Sequence, residues 1–131
     1  MRWKVNEKHA ELSECELITM KCIWDAGHEV SCSEIMEVLK NEYKLDYKDT
    51  TVYTFLKKLK EKGFVDSYRR GVTWFVPARD EASYRAQQLR FTRDFWFKGS
   101  TGKLVSELVS LDDLTPEECR EIKELAEKLP E

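Results

Sequence analysis

Apolar positions along this chain keep helical spacing, switch to a strand-like run, and then return to helical spacing. Leu17, Met20, Ile23 and Trp24 mark a first helix that ends near Gly27, and Ile35, Val38 and Leu39 mark a second. Val52, Phe55, Leu56 and Leu59 fall at i, i+3, i+4 and i+7, the repeat that turns one stripe of a helix into a core. Asp49 or Thr50 is expected to cap this third helix, and Gly63 suits the left-handed position just past its end. Phe64 to Pro77 is rich in β-branched and aromatic residues, with Arg69-Arg70-Gly71 where a hairpin would turn. From Asp80, a capping residue, the helical period resumes through Tyr84, Leu89, Phe91, Phe95 and Trp96. After a break at Lys98 to Gly102 it runs through Leu104, Val105, Leu108 and Val109, and then through Ile122, Leu125, Ala126 and Leu129.

Polar residues punctuate this pattern. Ser13 with Glu16, Ser31 with Glu34, and Thr115 with Glu118 each place an N-cap three positions before a carboxylate, flanked by apolar residues at the staple positions. Pro116 adds a favoured first helical residue to the third of these. The order helix, helix, helix, hairpin over residues 1–79 is that of a winged helix-turn-helix DNA-binding domain. Residues 80–131 read as a helical dimerisation region. The expected fold is therefore mainly α with a small β hairpin, a winged helix-turn-helix domain followed by a helical dimerisation arm.

Composition narrows the function. A hydrophobic content of 41% with four Trp can supply a core, and no apolar run approaches the length of a membrane span. The N-terminus, MRWKVNEKHAELSECE, has no apolar segment of the secretory kind, so a cytoplasmic location is expected, with no membrane insertion. Cys15, Cys22, Cys32 and Cys119 form no C-x-x-C pair, and His9 and His28 complete no metal-ligand spacing. Reduced, buried thiols are expected, with no metal and no cofactor. There is no nucleophile–base pair and no phosphate loop, so no catalytic residues and no enzyme.

Net charge is −3, but its distribution matters more. Lys48 to Arg70 carries seven basic against three acidic side chains, whereas Gly99 to the end carries four against nine. The first segment suits a polyanion and the second does not. On the third helix, Thr50, Thr51, Tyr53, Thr54, Lys57 and Lys58 fall opposite the apolar stripe. Threonines are poor helix formers and have no core reason to line an exposed side. In a helix-turn-helix the N-terminal half of the second helix enters the major groove, so Thr50, Thr51, Tyr53 and Thr54 suit bases. Lys57 and Lys58 suit the phosphate backbone. Arg69 and Arg70 at the hairpin tip would reach an adjacent phosphate or the minor groove. The expected partner is a double-stranded DNA operator. Beyond the winged domain, Leu104, Leu108, Leu111, Ile122, Leu125 and Leu129 form an apolar stripe that a lone arm cannot bury, which predicts a homodimer.

LSECELITMKCIW, SEIMEVL, DTTVYTFLKKLKEKGFV and YRAQQLRFTRDFWFKGSTGKLVSEL together resemble the penicillinase-repressor family (BlaI/MecI/CopY type) from about Leu12 to Leu129. The most specific part is Thr-Val-x-Thr-x-Leu-x-x-Leu at Thr51 to Leu59 with the following Lys-Gly. The resemblance implies a repressor acting at inverted-repeat operators upstream of resistance or stress genes, relieved when a membrane sensor protease triggers its cleavage. The chain departs from that family twice. Its copper-responsive branch carries paired Cys-x-Cys motifs near the C-terminus, where this chain has only Cys119. Its β-lactam-responsive members are cut at an Asn–Phe bond, and the matching candidate cleavage positions here are Ser100 and Thr101.

Two other classes compete. A small-molecule-sensing winged-helix regulator of the same DNA-binding mode would use Phe91, Phe95, Trp96 and Phe97 as a pocket. A winged helix that binds only protein would leave the basic segment and the threonine face without a purpose.

Overall fold

The structure, a computed structural model, describes residues 12–131. His9 and the N-terminal stretch read as lacking a secretory signal lie outside the described residues, save for its last five positions. The elements in order are α1 (Glu14–Ala26), β1 (Val30–Ser31), α2 (Cys32–Tyr43), α3 (Asp49–Glu61), β2 (Val65–Arg70), β3 (Val72–Pro77), α4 (Glu81–Phe97), α5 (Thr101–Leu111) and α6 (Pro116–Glu127). No described helix is long and apolar enough to cross a membrane.

Helix boundaries follow local chemistry. Ser13, Ser31 and Thr115 each bond the N–H of the glutamate three residues on, and that glutamate bonds back to the cap. Gly27 ends α1 with φ +71, and Gly63 follows α3 with φ +82. Phe64 N–H to Leu59 O at 2.9 Å and Gly63 N–H to Lys60 O at 3.0 Å close the paired pattern that a left-handed glycine allows. One cap differs from expectation. The N-cap of α3 is Lys48, which makes no side-chain bond. Asp49 is already helical, and its carboxylate accepts the Thr50 N–H at 2.7 Å.

The hairpin is joined by a third strand, in the order β1-β3-β2, all antiparallel. Val30 pairs with Phe75 and Ser31 with Trp74, so β1 ties the turn between α1 and α2 to the wing. Met20, Ile23, Ile35, Leu39, Val52, Leu56, Leu59 and Val65 are all but fully buried. Burial of each of these larger side chains is worth about 2 kcal/mol. Leu17, one of the apolar positions that marked the first helix, is 41% exposed. Trp24 closes one end of the core: its Nε1–H donates to Arg79 O at 2.8 Å. The Arg79 guanidinium lies 4.8 Å from the Phe64 ring and 4.9 Å from the Tyr84 ring.

The chain divides into two compact units, Met1–Tyr84 and Arg85–Glu131. None of the second unit's residues is buried. The break between α4 and α5 is shorter than the expected Lys98 to Gly102, because Thr101 and Gly102 are already in α5. It consists of Lys98, Gly99 and Ser100, with Lys98 at φ +50 and Gly99 at φ +88.

Candidate nucleic-acid interface

Helix α3 turns Val52, Leu56 and Leu59 into the core and leaves the opposite side to solvent. Thr50, Tyr53, Thr54, Lys57 and Lys58 are exposed there, and Thr51 is half-buried. Each is held differently. The Thr54 hydroxyl donates to Thr50 O at 3.0 Å, which leaves its oxygen free to accept. The Tyr53 ring, 46% exposed, leans toward Phe75 of β3 at 6.4 Å between centroids. Burial, and then the charge and hydrogen bond of Cys32, raise the Tyr53 phenol above its usual range, so it is a neutral donor or acceptor. Lys57 and Lys58 make no ion pair among the described residues.

The rest of the helix is anchored. Lys60 Nζ donates to Ser67 Oγ of β2 at 2.8 Å. Lys62, just past the end of α3, reaches Glu16 at the start of α1 at 2.6 Å. Glu16 is 4% exposed. Burial alone would raise its carboxyl, but the Lys62 ammonium and the Ser13 N–H and hydroxyl outweigh it and hold Glu16 below the usual carboxylate range. The C-terminal end of α3 is thus pinned to α1 and to the wing while its N-terminal half stays open. At that N-terminal end the Asp49 carboxylate already occupies the Thr50 N–H and offsets the pull of the helix dipole on an anion.

At the wing, Arg69 and Arg70 are both exposed and end β2 beside Gly71, which takes φ +77. They are not equivalent. Arg69 makes no ion pair among the described residues, whereas Arg70 Nη2 reaches Glu29 Oε1 at 2.8 Å. The other Glu29 oxygen accepts the Tyr68 hydroxyl. Glu16 was legible as the capping partner of Ser13, but nothing in the local pattern pointed to its pairing with Lys62 or to Glu29 and Ser67, since these contacts join separate elements.

In the first unit a cleft of about 250 Å³ is lined by Cys22, Val30, Ile35 and Val38 together with Asp25, His28, Glu34 and Glu42. Its carboxylates make it unsuited to phosphate. Cys22 there is pushed up to about 11 by burial and then by the Glu42 and Asp25 charges, so it is a thiol rather than a thiolate at neutral pH. Among the described residues no group of three or more His, Cys, Asp and Glu side chains is gathered for a metal ion.

In the second unit, Leu108, Leu111, Leu125 and Leu129 are exposed, and Leu104 and Ile122 are half-buried. On α4, Phe91 stacks on Phe95 at 5.5 Å and Trp96 meets Phe95 edge-on at 5.0 Å. Ser100 caps α5, its hydroxyl accepting the Lys103 N–H at 3.1 Å, and Thr101 begins the helix.

The family profile described as "Penicillinase repressor" matches residues 12–128. The chain is 25% identical over 123 residues to the penicillinase repressor of Bacillus licheniformis, covering 93% of this chain and 94% of that protein. It is also similar to the solution structure of the Bacillus licheniformis BlaI monomeric form in complex with the blaP half-operator. That likeness has 27% identity, 58% of this chain, 90% of that chain and a TM-score of 0.47. A structure of Bordetella bronchiseptica BpsR, from a study of the regulation of its DNA binding by 6-hydroxynicotinic acid, matches at 16% identity. It covers 91% of this chain and 75% of that one, with a TM-score of 0.48.

Proposed function

This chain belongs to the penicillinase repressor family, and from that premise we propose that it acts in the cytoplasm as a homodimer, each copy reading one half of an inverted-repeat operator with α3. Membership makes it a DNA-binding transcriptional repressor rather than an enzyme. The observation that carries the reading is the division of α3: its C-terminal end is tied down by Lys60 and Lys62, while Thr50, Tyr53, Thr54, Lys57 and Lys58 stand clear of the protein. A rigid helix with hydroxyls at its N-terminal end and lysines one turn on is the arrangement that enters a major groove and grips the flanking phosphates.

Support for the dimer comes from the second unit, whose helices α5 and α6 carry leucines with nothing buried over them. A two-fold pair of copies would cover them and match two half-sites. Release would follow a cut in the turn between α4 and α5, made when a membrane sensor protease is triggered. All six leucine and isoleucine positions assigned to the dimer lie after Ser100, so one cut there separates them from the reading helix. Ser100 and Thr101 are bonded into the start of α5, so a protease must first open that turn.

The test is a pair of substitutions titrated with salt against a duplex selected by the protein and a random one. Thr54→Ala is expected to lose about 1 kcal/mol of discrimination between the two duplexes. Lys57→Ala is expected to weaken binding to both and to shallow the salt slope by about one. Identical behaviour of the two variants would overturn the assignment of base-side and phosphate-side roles.

A further inference from the structure

We propose that Glu29 is a specificity-determining residue: its carboxylate holds Arg70 of the wing in an internal ion pair that a DNA phosphate must displace, which keeps the wing from binding random DNA. The inference rests on the DNA-reading role proposed above.

Strands β1 and β2 are the two edges of the sheet and do not pair with each other. Glu29 immediately precedes β1, yet both its oxygens are engaged by β2, Oε1 by Arg70 and Oε2 by Tyr68. The carboxylate is therefore a strap across the sheet. The Arg70 main chain is fixed as well, since Trp74 Nε1–H donates to Arg70 O at 2.9 Å. Only the side chain can move: 71% of it is exposed, and its guanidinium carbon lies 5.9 Å from the Tyr68 ring centre. An exposed pair of this kind is weak and salt-sensitive, so a phosphate oxygen at the right position can replace the carboxylate. A phosphate at the wrong position meets a neutralised arginine and a nearby negative charge. Arg69, the adjacent residue, has no such partner among the described residues and serves as an internal comparison.

A purely structural strap makes the opposite prediction, because loosening it would disorder the wing and weaken all binding. The full-length chain is titrated by fluorescence anisotropy with a labelled random-sequence duplex, and with a duplex the wild-type protein selects from a randomised pool, across a salt series. E29Q keeps the size of the side chain and one carbonyl acceptor while removing the charge. It is expected to bind the random duplex about 3- to 10-fold more tightly at low salt, with a slope steeper by about one. The selected duplex should gain less, so discrimination falls. In an R70Q background, E29Q should change neither quantity. R69Q should weaken random-duplex binding more than R70Q does, and this comparison serves if E29Q proves poorly folded by its thermal melt. Unchanged or weaker random-duplex binding by folded E29Q, equal tightening with R70Q present, or equal losses for R69Q and R70Q would overturn the proposal. Wild-type protein that binds no duplex at all would overturn the DNA-reading role and this proposal with it. Wild-type binding alongside any of the former results overturns only the role of Glu29.

Discussion

Up to Tyr84 the described chain buries fourteen hydrophobic side chains, while no residue from Arg85 onward is buried, although both units are built from amphipathic helices with well-formed ends. The first unit can bury its stripes because three helices and a sheet converge from different directions: α1 carries Met20 and Ile23, α2 Ile35 and Leu39, α3 Val52, Leu56 and Leu59. The second unit has helices and no sheet to close on. Its local structure is specified by capping, with Ser100 on α5 and Thr115 on α6, but its burial is not. Secondary structure and core formation are thus written separately in this chain, and the unit without buried residues is the one to which the proposed dimer contact is assigned.

The comparison is broken most severely by charging the second unit. Leu108→Glu with Leu125→Glu should convert a dimer into a monomer by sedimentation, leave the melt of the first unit unchanged, and lower affinity for a selected operator by about 10³-fold through loss of effective concentration. Persistence of the dimer would mean that these faces are not the interface. Leu59→Ala attacks the other side of the contrast and should cost about 3 kcal/mol in a denaturant titration, with the folded fraction still associating. Glu16→Ala should cost about 2 kcal/mol, since it removes a buried carboxylate that serves both the α1 cap and Lys62. Because the folded Glu16 sits below its ordinary value, its contribution is present above the usual carboxylate range and is lost as pH falls through the folded value. The gap between wild type and Glu16→Ala in a pH series of melts should therefore close on acidification; a gap that widens would contradict the assignment. The smallest effect is expected from Thr115→Ala, about 1 kcal/mol, seen as faster amide exchange in the first turn of α6 and in no residue of the first unit.

Much of the fold was legible because its signals are local. The three capping boxes, the stops at Gly27 and Gly63 and the stripe of α3 each occupy a few consecutive residues, and each formed as read. What escaped is non-local or too short to be periodic. Strand β1 is two residues long and exists only because Val30 and Ser31 meet Phe75 and Trp74 more than forty positions later. The Asp49 cap failed because an aspartate can satisfy the next N–H from inside the helix as readily as it can cap from outside. Ser100 was missed as a cap because Lys103, not a glutamate, stands three residues on. The outward residues of α3 could be named from spacing alone, apart from Thr51, which is half-buried. What holds them in place, Glu16 against Lys62 and Ser67 against Lys60, could not, since a long side chain gives no sign in sequence of which distant partner it will find.

The strand order β1-β3-β2 also bears on how the protein behaves when crowded. A sheet grows by adding strands at its edges, and an open edge is a template for aggregation. Here one edge is β1, whose two residues offer too short a ladder for another strand to join. The other, β2, is six residues long but presents Asp66, Arg69 and Arg70, charges that an added strand would have to desolvate or repel. In the dimer proposed above, two wings on neighbouring half-sites would therefore have no ready way to zip into one another.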